Sequence, residues 1–216
     1  MHIDIFCDGS CLKNPDGPGG WGLVLQLPDG REIHKSGAAG STTNNRMEIQ
    51  AAIEAILAAR AIAKAGEPLS LSITSDSQYV INSITTWIRG WKKSNWRGSS
   101  GPVKNADLWR TLDTLAGQQP VQWHWVRGHN GHRENSLADT LAVTAARRQQ
   151  GTMKRYNKDG VLEKENVMLE TPPHSIAAAP AVLLIDAWLT DAELGRLVRN
   201  HMERATGKTL QIRLRS

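Results

Sequence analysis

Residues 43–76 read TNNRMEIQAAIEAILAARAIAKAGEPLSLSITSD, and a change of period inside this stretch sets the architecture. Met47, Ile49, Ile53, Ile56, Leu57 and Ile62, filled in with alanines, make a helical stripe over about 43–64 that stops before Gly66 and Pro68. Leu69, Leu71 and Ile73 then alternate with Ser70, Ser72 and Thr74, the period of a half-buried strand. Upstream, residues 2–8 form a strand, and residues 20–27 and 31–38 form a hairpin around Pro28-Asp29-Gly30. Downstream, 77–89 and 107–115 are helical, 121–126 is a strand and 133–149 is a helix. The order β-β-β-α-β-α-α-β-α implies a mixed sheet with a leading hairpin and helices on its faces.

The chain has 216 residues, room for one full domain and a small second one. Composition shifts after Gln150, so residues 1–150 are expected to form one domain and 151–216 a C-terminal extension of undetermined role. In that extension Ala181–Trp188 is an apolar run, and Thr190 with Glu193 makes a capping box. Leu194, Leu197, Val198, Met202 and Ala205 continue a helical stripe, and Leu210, Ile212 and Leu214 alternate as in a strand. The expectation is a small α+β appendage, able to add a protein contact, beside a monomeric first domain.

A formal net charge of +5 and a pI of about 9.4 lean toward polyanions. Cys7 and Cys11 have no companion Cys or His cluster, which argues against a zinc site or a disulfide framework and fits a reducing compartment. The opening HIDIFCDGS has neither a basic n-region nor a long apolar h-region, and no apolar run reaches membrane-spanning length. A cytoplasmic protein with no membrane partner is expected.

Asp8, Glu48, Asp76 and Asp139 each stand in a dense polar motif: CDGSCLKNP, TTNNRMEI, SDSQYV and VRGHNGHRENSLAD. Singly, each has an ordinary reading. Asp8 forms a turn at the end of its strand, Asp76 caps a helix, Glu48 complements a helix dipole in the first turn, and Asp139 is a solvated helix position. Together they make an all-oxygen ligand set suited to Mg²⁺ or Mn²⁺. Two such ions about 4 Å apart can clamp the attacking and leaving oxygens of a phosphodiester. Acids gathered without cations repel one another, so raised pKa values are expected. His129, in the loop HNGH, is either a surface histidine or a proton carrier beside the site.

The stretch 85–110 interleaves Arg89, Lys92, Lys93, Arg97, Lys104 and Arg110 with Trp87, Trp91, Trp96 and Trp109. Basic residues neutralise phosphates and aromatic faces pack on sugars or bases. The competing reading is a helix with its tryptophans in the core, and Trp109 is expected there in either case. Asn14, Asn44, Asn45 and Gln78 each lie within a few residues of one of the acids or of its motif. Amides both donate and accept, so they can read base edges and a 2′-hydroxyl, or else form turns and caps.

Taken together, CDGSCLKNPDGPGGWG, TTNNRMEIQAAIEAI, TSDSQYV, NWRGSSGPVKNADLW and WVRGHNGHRENSLADTLA resemble bacterial type 1 ribonuclease H (ribonuclease HI) over residues 1–150. The resemblance implies a ribonuclease H-like α/β fold, a mixed five-stranded sheet flanked by helices. It implies Asp8, Glu48, Asp76 and Asp139 as ligands of two Mg²⁺ ions, with Mn²⁺ able to substitute, and His129 as the loop histidine assisting turnover. The implied activity is endonucleolytic hydrolysis of the RNA strand of RNA–DNA hybrids, leaving 5′-phosphate and 3′-hydroxyl ends. Cys11, Asn14, Asn44, Asn45 and Gln78 would contact the hybrid near the cut, and Thr43 and Asn105 would hold a DNA phosphate. Trp87, Trp91, Lys92, Lys93 and Trp96 would belong to a basic protrusion gripping the DNA strand. Ser41 departs from the arginine that many members carry near the phosphate pocket. The presence of all four acids argues against a purely hybrid-binding module.

Overall fold

The computed structural model describes residues 1–98, 101–128 and 131–168. The readings made above for His129 and for the helix and strand after residue 173 lie outside them. The elements are β1 (His2–Cys11), β2 (Gly17–Gln26), β3 (Glu32–Thr42), α1 (Asn44–Ile62), β4 (Ser70–Ser75), α2 (Gln78–Asn82), a π-helical turn (Ser83–Trp87) and α3 (Ile88–Lys93). They continue with β5 (Arg97–Gly98), β6 (Gly101–Pro102), α4 (Ala106–Ala116), β7 (Val121–Trp125), α5 (Arg133–Arg148), β8 (Gly151–Tyr156) and β9 (Leu162–Met168).

The main sheet runs β7-β4-β1-β2-β3-β8-β9, with β1–β4 and β4–β7 parallel and the other pairs antiparallel. The mixed sheet and its flanking helices are as expected, and two strands more than the expected five belong to it. Residues 151–168 form the hairpin β8–β9, which continues the sheet beyond β3, so the break expected at residue 150 falls inside one compact unit, Met1–Pro173. The physical reason is the bare edge of β3. Its main-chain groups are paired from Glu32↔Tyr156 to Ser36↔Thr152, and the Ser36 Oγ lies 3.1 Å from both the amide nitrogen and the Oγ1 of Thr152.

One face of the sheet carries Ile3, Ile5, Cys7, Trp21, Leu23, Leu25 and Ile33, all buried. They pack with Ile49, Ile53 and Ile56 of α1 and Trp109 and Leu112 of α4 in a single core cluster. Burying each such aliphatic or aromatic side chain contributes roughly 1.5–3 kcal/mol. The opposite face holds α5, where Ala138, Ala142, Ala145 and Ala146 are buried against the sheet. Small residues on both sides allow this close approach.

Two local differences from the sequence reading matter for the site. The first strand does not end at Asp8 but runs on to Cys11, because β2 pairs with it as far as Cys11↔Gly19. The helical stretch from Gln78 does not stop at Arg89 but passes Gly90 to Lys93, interrupted by the π-helical turn. Gly90 has open space around it and a helical neighbourhood, so it does not act as a stop.

A Cβ at Gly22 would lie 2.2 Å from the Ala138 carbonyl oxygen and 2.8 Å from the Ala142 amide nitrogen, both of them backbone atoms. Gly22→Ala is therefore expected to lower the free energy of unfolding by roughly 1–3 kcal/mol. Urea denaturation of the two proteins checks this, and an unchanged midpoint would contradict the contact.

Candidate active site

Asp8 is 9% exposed and pairs with Gly22, which puts its side chain on the α5 face. The Gly9 amide donates to its Oδ1 at 2.7 Å. β1 and β4 are parallel with Phe6 opposite Thr74, so Asp8 on β1 and Asp76, just past the end of β4, are each two residues beyond the last pair.

Glu48 is the fifth residue of α1, one turn deeper than the first-turn position read from the sequence. Thr43 is the N-cap, its Oγ1 accepting from the Arg46 amide at 3.4 Å. The helix start lies directly on Gly9, where a Cβ would be 2.2 Å from the Glu48 amide nitrogen. Two donors hold the Glu48 carboxylate: Ser77 Oγ to Oε2 at 2.6 Å and Asn44 Nδ2 to Oε1 at 2.9 Å. Ser77 also caps α2, accepting from the Val80 amide at 3.2 Å. Asp76 Oδ2 accepts from Asn135 Nδ2 at 3.1 Å, and its main-chain oxygen accepts from Trp125 Nε1 at 3.0 Å. Asp139 is half-buried on α5, four residues after Asn135 and so on the same helix face.

The four acids act on one another electrostatically. Burial, then the charge of Asp76, pushes the Asp8 carboxyl up to about 8, with Asp139 and Glu48 adding to the rise and the Gly9 amide opposing it. Burial also raises Glu48, with a contribution from Asp76, against the hydrogen bonds from Ser77 and Asn44. The Cys7 thiol is pushed above its ordinary range by burial and by Asp8, so it is an apolar core group rather than a ligand. Among the described residues no three His, Cys, Asp or Glu side chains form a ready-made metal cage. What they form is an all-oxygen, mutually repelling group with amide and hydroxyl donors fixing two of its members, and this donor chemistry fits a hard divalent cation.

The residues expected to meet a nucleic acid fall into two sets. In the first, Asn44 links the others: its Oδ1 accepts from the Cys11 amide at 3.2 Å and its own amide donates to Asn14 Oδ1 at 3.2 Å. Asn45 and Gln78 are exposed beside them. The Arg46 guanidinium bridges from α1 to Asn105 Oδ1 at 3.4 Å and to Asp107 at 2.8 Å, while its main-chain amide donates to Thr43 Oγ1. Asp107 is held below its usual range by that guanidinium.

The second set is an aromatic chain. Tyr79 meets Trp109 at 5.4 Å between centroids, Trp109 meets Trp91 at 5.7 Å, and Trp91 meets Trp87 at 6.1 Å and Trp96 at 6.5 Å. It runs from fully buried Trp109 to Trp87, 44% exposed, so the core reading and the contact reading are each correct for part of it. Arg110 lies 5.0 Å over the Trp96 ring, Lys92 pairs with Asp113 at 2.7 Å, and Lys93 is exposed.

Four residues near the acids were not singled out from the sequence: Ser77, Trp125, Gly128 and Asn135. The spacing of Asn135 and Asp139 on one helix face was an available signal. Trp125, which reads as an ordinary strand residue, gave none.

The profile described as RNase H matches residues 1–147. The ribonuclease HI of Vibrio parahaemolyticus is 50% identical over 146 residues, 67% of this chain and 90% of that protein. The ribonuclease H of Polynucleobacter asymbioticus is 51% identical over 142 residues, 65% of this chain and 87% of that protein. Among solved structures, LC9-RNase H1, a type 1 RNase H with the type 2 active-site motif, is similar with a TM-score of 0.61 at 35% identity, covering 68% of this chain and 73% of that one. LC11-RNase H1 in complex with an RNA/DNA hybrid shares the fold, with a TM-score of 0.53 at 19% identity over 68% of this chain and 97% of that one. These matches span the four acid-bearing motifs in order, and the chain accordingly belongs to the RNase H family, enzymes that cleave the RNA strand of RNA–DNA hybrids.

Proposed function

We propose that Asp8, Glu48, Asp76 and Asp139 hold two divalent ions, Mg²⁺ with Mn²⁺ as a substitute, and that the chain uses them to cut the RNA strand of a hybrid internally, leaving 5′-phosphate and 3′-hydroxyl ends. The observation that carries this reading is Asp8, 9% exposed and raised to about 8 within the field of three other acids. A fold does not bury such a group without a compensating charge unless the charge serves a purpose. Divalent ions bound there would supply a nucleophilic water at neutral pH and neutralise charge on the leaving oxygen.

The chain's own groups do the rest. Ser77 and Asn44 orient Glu48, and Asn135 orients Asp76. Cys11, Asn14, Asn44, Asn45 and Gln78 border the acids, where amides can bind a 2′-hydroxyl and minor-groove edges. Thr43 and Asn105, with Arg46 bonded to both, receive a DNA phosphate. Trp87, Trp91, Trp96, Lys92 and Lys93 grip the DNA strand further along. His129 assists proton transfer or product release. In this reading the enzyme works as a cytoplasmic monomer, residues 1–150 carry the catalysis, and the extension adds a protein contact through residues beyond the β8–β9 hairpin.

Asp8→Asn is expected to abolish hybrid cleavage while hybrid binding stays measurable in a gel-shift assay, and full activity in the variant would sink the assignment. The same substitution has a stability consequence. A carboxyl raised in the folded state favours folding below its ordinary value near 4 and loses that contribution as pH rises to about 8. In EDTA the parent protein should thus lose stability between these pH values. Asp8→Asn should flatten the loss and melt higher than the parent at pH 8. Parallel melting curves in EDTA would contradict the buried-acid reading.

For the grip, Lys93→Ala should lower the slope of log K against log salt by about one unit. Lys92→Ala should lower it less, since Lys92 is already paired with Asp113. Equal slopes for the parent and Lys93→Ala would show that α3 does not meet the backbone.

A further inference from the structure

We infer that Asn135 and Gly128 are positioning residues for Asp76, fixing the direction of its carboxylate from the two ends of the β7–α5 connection. This rests on the proposed role of Asp76 as a ligand.

Three observations point this way. First, Asn135 is 3% exposed and its Nδ2 donates to Asp76 Oδ2 at 3.1 Å, a contact across 59 residues of chain. Second, the other end of the same amide, Oδ1, is buried and has no hydrogen-bond partner among the described residues. Burying an unpartnered carbonyl oxygen is unfavourable, and an apolar side chain of similar shape would avoid it. The position therefore keeps an amide at a cost to folding, and among the described residues the group it serves is the Asp76 carboxylate. Third, Gly128 lies against the same oxygen. A Cβ there would lie 2.6 Å from Asp76 Oδ2 and 3.4 Å from its Cγ, with no third residue among its three nearest atoms. Trp125 completes the arrangement by holding the Asp76 main-chain oxygen at 3.0 Å. The Asp76 backbone is thus fixed by β7, and its carboxylate by the start of α5 together with Gly128.

Two substitutions separate positioning from a structural role. Asn135→Leu removes the donor and also the buried unpartnered oxygen. Gly128→Ala adds a methyl group whose easiest accommodation is a turn of the Asp76 side chain. A purely structural Asn135 would make the Leu variant melt well below the parent. A positioning role predicts that both variants melt close to the parent in EDTA. It predicts kcat and calorimetric Mn²⁺ affinity lowered roughly 10- to 100-fold, with KM for the hybrid unchanged.

The deciding arm is the pair with Asp76→Asn. In that background, adding Asn135→Leu should change Mn²⁺ affinity by less than about twofold, since both act through one carboxylate. Parent-like kcat and Mn²⁺ affinity in Asn135→Leu overturn the inference. So does a loss that comes with a large fall in melting temperature, or one that persists undiminished in the Asp76→Asn background. If Asp76→Asn alone leaves Mn²⁺ binding intact, the ligand role of Asp76 is wrong and the inference falls with it, whereas a strong Asp76→Asn effect beside a silent Asn135→Leu rejects only the positioning.

Discussion

The site depends on how closely two helices approach the sheet. α1 starts on Gly9 and α5 crosses Gly22, and at each position a Cβ would stand 2.2 Å from helix backbone atoms. These contacts bring Glu48 from one face and Asp139 from the other toward Asp8. The parallel pairing of β1 with β4 adds Asp76. The result is a concentration of like charge that opposes folding, offset by the apolar core beneath α1 and α4. The opposition is greatest at Asp8, which is buried among the other three acids.

Much of this was legible in the sequence. The change of period at Thr43 marked α1, and the alternation from Leu69 marked β4. The polar motifs marked the four acids, because Asn, Ser and Gly beside a carboxylate are poor choices for an ordinary strand end. Less legible were features set by tertiary contact. Asp8 reads as a turn former because Asp-Gly usually is one, yet Gly9 is there for the helix pressed against it and the strand runs on to Cys11. Asn135 reads as a polar helix residue, and only the return of β4 to its side makes it a partner of Asp76.

The hairpin β8–β9 was hidden for a different reason. Its strands, GTMKRY and LEKENVM, show little apolar alternation, since what holds them is main-chain pairing to β3 more than burial. Its side chains still matter. Met153 packs against the core, and Tyr156 lies 4.5 Å from the His34 ring. His34 contacts Glu32, which lies 3.8 Å from Arg133 at the start of α5. The outer strand, β9, presents Glu163, Lys164 and Glu165 in succession, with Lys154 paired to Glu165 at 3.0 Å, and charges of this kind discourage pairing with another chain. The profile match ends at residue 147, so the hairpin that covers the β3 edge lies outside the matched portion.

The four acids are not held alike. Glu48 is fixed by two side-chain donors and Asp76 by one, with Gly128 lying against it, while Asp8 takes its own neighbour's amide. Asp139 is half-buried and accepts no hydrogen bond among the described residues, with only the rigidity of α5 behind it. Three carboxylates are therefore held by hydrogen bonds among the described residues, and the fourth is placed by its helix. Carboxylates held in place need less reorganisation to meet a charge than one placed by its helix alone. Asp139 is also the acid nearest in sequence to the loop that carries His129. Asp76 and Asp139 thus both depend on the chain around α5, Asp76 through Asn135 and Gly128 and Asp139 through its own place on the helix.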